Sequence, residues 1–140
     1  MGKTKFEILV DTIELVKNHQ LEASPFLLTM DIDKLLGICN GCGAAGAKID
    51  LIPDGMYGLD ISSACYIHDL DYFLGETEAD RRFADDRLKR NLLTLIAAGN
   101  AIMWPARRVR VNTYHKAVRM CGEQPFWAGK AHNIITLGTY

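Results

Sequence analysis

Residues 60–99 read DISSACYIHDLDYFLGETEADRRFADDRLKRNLLTLIAAG, and this stretch decides the fold. Gly75-Glu76-Thr77 divides it in two. Before the break, a helix is expected over about 60–74, capped by Asp60 or Ser62 and stopped at Gly75. After it, Thr77 reads as the N-cap of a long helix, with Asp80 at the spacing of a capping box. Ala84, Leu88, Leu92 and Leu95 form the apolar line of that second helix, which ends near Gly99. Arg81/Asp85, Arg82/Asp86 and Asp86/Arg90 stand at i,i+4, where opposite charges support a helix surface.

The flanks extend the same reading. Phe6, Leu9, Ile13 and Val16 recur at helical spacing, so an amphipathic helix is expected over about 5–19. Ser24-Pro25 starts a short helix that ends near Gly37. Residues 39–48, CNGCGAAGAK, lack periodicity and read as a loop of small side chains; Pro53-Asp54-Gly55 reads as a turn. Pro105 opens a last helix to about 121, and no regular structure is expected after Gln124. The chain of 140 residues suits a single core. The expectation is an all-α domain over 1–140, with its core in about 39–121, two long central helices and one Gly-rich loop.

Charge is unevenly spread. Before Trp104 there are 10 Lys/Arg against 16 Asp/Glu; from Trp104 onward there are 6 against 1. Trp104, Arg107, Arg108, Arg110, Lys116, Arg119, Trp127 and Lys130 mix cations with aromatics in segment 104–130, a composition suited to an anionic membrane or micelle surface. An ordinary solvated helix face fits the same residues. On the helix from Pro105, Arg107 and Arg110 are expected on the exposed side, opposite Val111, Tyr114 and Val118. No nucleic-acid motif is visible and the whole chain is not basic, so nucleic acid is not expected. No apolar run reaches the length of a membrane span, and the first residues are too charged to read as a secretory signal peptide.

The chemistry centres on His68 and Asp69. Ile61, Ala64, Cys65, His68 and Tyr72 share one helix stripe, which turns His68 toward the interior or a cleft. Asp69 follows about 100° round the axis, so both side chains can address one cavity without touching. A neutral imidazole there has the character of a general base. A calcium ion takes six to eight oxygen ligands, among which backbone carbonyls serve well; Asp69 and the Gly-rich loop offer such oxygens. A carboxylate on the facing helix would fix the imidazole tautomer, and Asp80, at the start of that helix, is the leading candidate. Asp80 equally suits a purely structural role in the helix cap. The four cysteines, Cys39, Cys42, Cys65 and Cys121, permit two disulfides or a metal site. Cys39, Cys42, Cys65 and His68 have the spacing of a Cys3His zinc set, the basis for the alternative of a helical interaction module without turnover.

Cys65-x-x-His68-Asp69-x-x-Tyr72 resembles the active-site helix of the phospholipase A2 family. Cys42-Gly43-Ala44-Ala45-Gly46 is similar to that family's calcium loop, and Ala79-Asp80-Arg81-Arg82-Phe83 to the start of its second long helix. The resemblance covers about residues 39–95, in the family's order. It implies two long antiparallel helices and calcium-dependent hydrolysis of the sn-2 acyl ester of glycerophospholipids. By this resemblance His68 is the base, Asp80 holds its distal nitrogen and Tyr72 braces Asp80. Calcium falls to Asp69 and to the carbonyls of Gly41, Gly43 and Ala45, with the Gly43 amide in the oxyanion hole. Cys42 and Cys65 match a family disulfide, which leaves Cys39 and Cys121 as the remaining pair. Such disulfides would suit a secreted or extracytoplasmic setting. Ala64 and Asp71 stand where larger secreted members carry further cysteines, a departure closer to the bacterial and viral relatives.

Overall fold

The computed structural model describes residues 3–39, 56–128 and 130. The helices among them are α1 (Lys5–Lys17), α2 (Phe26–Thr29), α3 (Ile32–Ile38), α4 (Ser62–Leu74), α5 (Glu78–Ala97), α6 (Trp104–Cys121) and α7 (Glu123–Trp127). No strand occurs among the described residues beyond an isolated bridge between Met56 and Leu59. The architecture is all-α.

The helix boundaries have local causes. Thr4 with Glu7 opens α1, and Thr77 with Asp80 opens α5, each as a reciprocal capping box. Asp31 caps α3 through the Lys34 amide. Pro105 lies in the first turn of α6, where its missing N–H leaves no helix bond unmade. The short helix α7 lies where no regular structure was expected. Five residues are too few for a periodic pattern, and what holds them is tertiary: Phe126 and Trp127 are buried against the rest of the fold.

Helix α4 is the central element. On one side Ile61, Ala64 and Cys65 pack with Leu88, Leu92 and Ile96 of α5 and with Val111, Tyr114 and Val118 of α6. On the other, Tyr66, Ile67 and Leu70 pack with Leu9 of α1, Leu27 of α2 and Leu35 of α3. A helix covered on both sides reads apolar nearly all round. Between Ala64 and Leu70, His68 and Asp69 alone break that pattern.

Helices α4 and α5 run antiparallel across the short connection Gly75–Thr77. Gly75 lies against Asp80 at the connection, and His68, farther back along α4, meets Asp85, farther along α5. Helix α6 returns antiparallel along α5, with Arg107 near Gly99 at one end and Arg119 on Asp85 near the other. Of the same-helix ion pairs expected on α5, Arg81–Asp85 is present at 3.7 Å. Asp86 is taken instead by His115 of α6 at 2.8 Å, and Arg90 forks onto Glu22. Groups reaching across from other elements offer these side chains direct or forked geometry, which outcompetes a neighbour one turn away.

The basic C-terminal segment is divided rather than one exposed cationic face: Arg107 and Trp127 are buried, and Arg110, Arg119 and Lys130 are half-buried. Arg107 is buried, and its Nε and Nη2 donate to the carbonyls of Met56 and Tyr57 at 3.1 and 2.8 Å. Tyr57 (φ +53°) and Gly58 (φ +82°) make the left-handed turn that presents these carbonyls. Arg110 stacks on the Tyr57 ring, 4.5 Å from its centroid. Lys130 donates to the terminal carbonyls of α4 at Tyr72, Phe73 and Gly75, and Trp127 donates to Glu78. Arg108, Lys116 and Trp104 remain exposed.

Candidate active site

His68 projects from the middle of α4 toward α5. Its Nε2 lies 2.8 Å from Asp85 Oδ1. Asp85 is fully buried and His68 is 9% exposed. Tyr72, one helical turn beyond His68, donates its hydroxyl to the same Asp85 oxygen at 2.6 Å. The second oxygen, Oδ2, accepts from Arg119 Nη1 at 2.7 Å, and Arg81 Nη1 stands 3.7 Å from it. The His68 and Tyr72 rings are tilted together with centroids 4.2 Å apart.

Burial works against the ionised form of Asp85. The hydrogen bond and charge of His68, with the bonds from Tyr72 and Arg119, outweigh it and hold the carboxyl below its ordinary range. Burial first, then the neighbouring Asp85 charge, raises the Tyr72 phenol, so Tyr72 stays a donor at neutral pH. Opposite an ionised carboxylate, the favoured imidazole tautomer carries its hydrogen on Nε2. The lone pair is then on Nδ1, the nitrogen able to take a proton.

Asp80 does not occupy this position. It is exposed at the first turn of α5, where Oδ2 accepts from the amides of Glu76 and Thr77 at 2.8 and 3.1 Å. These backbone bonds, ahead of any charge partner, lower its pKa. Its Cβ lies against Gly75, in the connection itself. Tyr72 accordingly braces Asp85 rather than Asp80. The signal was in the register. His68 stands eight residues before Glu76, and in an antiparallel pair its counterpart lies a similar distance after it. Asp85 satisfies this, whereas Asp80 falls about 7.5 Å short at 1.5 Å per residue. A second signal was Asp85's place on the buried stripe beside Ala84 and Leu88. Arg119, on a separate helix, had no comparable mark in the sequence.

Asp69 is half-buried and its charge acts toward the end of α3. Burial first, and Asp69 second, push the Cys39 thiol up to about 12. Cys39 Sγ donates to the Tyr66 carbonyl at 3.5 Å. The end of α3 is therefore pinned to the turn of α4 before Asp69, just where the chain enters residues 40–55. Gly41, Cys42, Gly43 and Ala45 lie outside the described residues. Among the described residues, no three His, Cys, Asp or Glu side chains gather as a metal-holding group.

Cys65 is disulfide-bonded, while Cys39 and Cys121 are free thiols. The pairing of Cys39 with Cys121 is corrected on this point. Cys39 is buried in the cluster of α1, α3 and α4, whereas Cys121 ends α6, which packs along α5. Beside the site, Asp71 pairs with Arg87 Nη1 at 3.2 Å, but Asp71 Oδ2 and Arg87 Nε are buried without a hydrogen-bond partner among the described residues. No family model, no curated protein and no solved structure matches the chain.

Proposed function

We propose that the protein is a calcium-dependent carboxylic ester hydrolase of the phospholipase A2 type, with a phospholipase A2-like arrangement of helices. Its substrate is the sn-2 acyl ester of glycerophospholipids at a membrane or micelle surface. The observation that carries this reading is the buried His68–Asp85 pair, with Tyr72 on the shared carboxylate oxygen. It supplies an oriented imidazole whose second nitrogen is a base, backed by a carboxylate that stabilises the imidazolium as it forms.

In this mechanism His68 Nδ1 takes a proton from water as the water attacks the ester carbonyl. Asp85 holds the tautomer and balances the charge, and Tyr72 fixes the carboxylate. His68 later returns the proton to the leaving alkoxide. Asp69 and the carbonyls of Gly41, Gly43 and Ala45 would hold calcium, with the Gly43 amide at the oxyanion. When bound, calcium supplies positive charge for the developing oxyanion and for the lipid phosphate. The tether of Cys39 beside the Asp69 turn supports this assignment, because it starts the Gly-rich segment next to the carboxylate. The disulfide at Cys65 weighs against the Cys3His zinc alternative, since a disulfide sulfur is not a thiolate ligand. For the lipid surface, exposed Ile102, Trp104 and Val109 with Arg108 at the start of α6 combine apolar and cationic contact.

The test is fatty-acid release from mixed anionic vesicles with calcium, alongside calcium titration by calorimetry. His68→Gln should abolish release and leave calcium binding nearly intact, whereas Asp69→Asn should lose both. Absence of release by the wild-type protein, or equal release by His68→Gln, overturns the reading.

A further inference from the structure

We propose that Arg119 is a positioning residue for the His68–Asp85 pair, fixing the rotation of the Asp85 carboxylate from its far oxygen. The inference rests on the hydrolase reading for its effect on turnover, but its geometric core does not.

Rotation about the Asp Cβ–Cγ bond is soft and has no sharp staggered wells. His68 and Tyr72 both bind Oδ1, so together they fix a single atom. Rotation about Cβ–Cγ moves the two carboxylate oxygens together, so a bond at either oxygen resists the same swing. Arg119 Nη1 adds that restraint at the far oxygen, 2.7 Å from Oδ2, and so stiffens the setting of Oδ1 against His68 and Tyr72. The same contact places a cation against a fully buried anion, which would otherwise carry a large desolvation cost.

Arg81 serves a different purpose, although it faces the same oxygen. Its Nη1 is 3.7 Å from Oδ2, beyond hydrogen-bond reach. That nitrogen donates to the carbonyls of Val118 and Arg119 at 3.3 and 3.4 Å, and its Nε is held by Glu78. Arg81 therefore anchors the backbone from which Arg119 projects. The close approach of this helix end is also written in Gly122, where a Cβ would collide with Tyr72 Oη and with the Val118 carbonyl. Helix α6 thus ends against the site at a fixed distance, and Arg119 uses that closeness.

The experiment compares wild type, Arg119→Met and Arg119→Lys by two readouts. The first is kcat and KM on micellar phospholipid with calcium. The second is the imidazole Nε2 proton of His68 in protein labelled with nitrogen-15 histidine. Arg119→Met should lower kcat by about 10–100-fold with KM changed less than about twofold, because orientation of the base is lost and lipid contact is not. Its imidazole signal should shift or broaden. Arg119→Lys, which returns a cation to Oδ2, should recover most of both. Wild-type kcat and an unmoved signal in Arg119→Met would overturn the proposal. A lysine variant no better than methionine in both readouts would overturn it too. If Arg119→Met does not fold, Arg119→Gln takes its place under the same criteria. A shifted signal in a protein whose wild type shows no hydrolysis would sink the hydrolase reading and leave the positioning role standing.

Discussion

Asp85→Asn, set against Asp80→Asn, separates the pairing seen in the structure from the one the sequence invites. Asparagine keeps the volume of Asp85 and one acceptor oxygen, but turns the other oxygen into an amide nitrogen. If its oxygen faces His68 and Tyr72, its nitrogen faces Arg119 Nη1 where 2.7 Å now separates donor from acceptor. If it flips, His68 and Tyr72 face the nitrogen instead. Either orientation loses at least one charge-assisted bond, about 1.5–3 kcal/mol, and leaves a guanidinium without its counter-charge. Breaking a buried pair from one side costs about 3–5 kcal/mol in total. A domain of this size should then melt about 10–20 °C lower yet remain folded in the cold. Turnover should fall about 10²–10⁴-fold, since the imidazole loses the partner that sets its tautomer. Asp80→Asn keeps its acceptor for the amides of Glu76 and Thr77. It loses only charge at the helix start, about 0.3–1 kcal/mol, and turnover should stay within about twofold. Urea unfolding followed by circular dichroism, with fatty-acid release on the same preparations, reads both effects. Because the Asp85 pKa is depressed, its stabilisation is present above the unfolded value of about 3.9 and is lost as pH falls through the folded value. The stability gap between wild type and Asp85→Asn should therefore close in strong acid. The reverse pattern, with Asp80→Asn inactive and Asp85→Asn near wild type, would refute the geometry.

Three further outcomes follow from the same contacts. Gly122→Ala should cost about 1–3 kcal/mol in thermal melting and reduce turnover, because the new methyl group displaces Tyr72 or the end of α6. Asp71 is pushed up to about 6 by burial, against the lowering charge of Arg87. Its raised pKa means that the ionised form opposes folding above about pH 6, so Asp71→Asn should gain about 1–3 kcal/mol at pH 7.5. That gain should vanish between pH 6 and 4, as measured by urea midpoints across the range. Lys130→Met should cost about 1–2 kcal/mol in the same assay, since one ammonium satisfies the orphan carbonyls at the end of α4.

Local chemistry made the helices legible. The Thr77–Asp80 capping box, the stop at Gly75 and Pro105 in a first turn each act within a few residues, and each lies where the spacing put it. His68 and Tyr72 meet through the helix they share, so their stripe was equally readable. Partners on other helices were not. Asp80 is the leading candidate in the sequence because it stands at the start of the facing helix, whereas the pairing is set by height along an antiparallel helix pair. The arginines of α6 looked like surface charge because periodicity assigns faces but cannot say which buried acceptors a long side chain will reach. Arg107, bound to two backbone carbonyls, and Arg119, bound to Asp85, are both of this kind.

The order of the chain becomes an order of assembly at Asp85. Its imidazole partner lies 17 residues back, across a short connection, while its guanidinium partner lies 34 residues ahead. During synthesis the hairpin of α4 and α5 emerges first and can close at small entropic cost. Until α6 follows, Oδ2 has no donor within hydrogen-bond reach to replace water, since Arg81 stands 3.7 Å away. Docking of the last turn of α6 is then the event that dries the site and sets it. A chain halted before Arg119 would hold much of the helix content and the His68–Asp85 contact but lack the bond to Oδ2, so the carboxylate takes its final setting only after the polypeptide has passed that point.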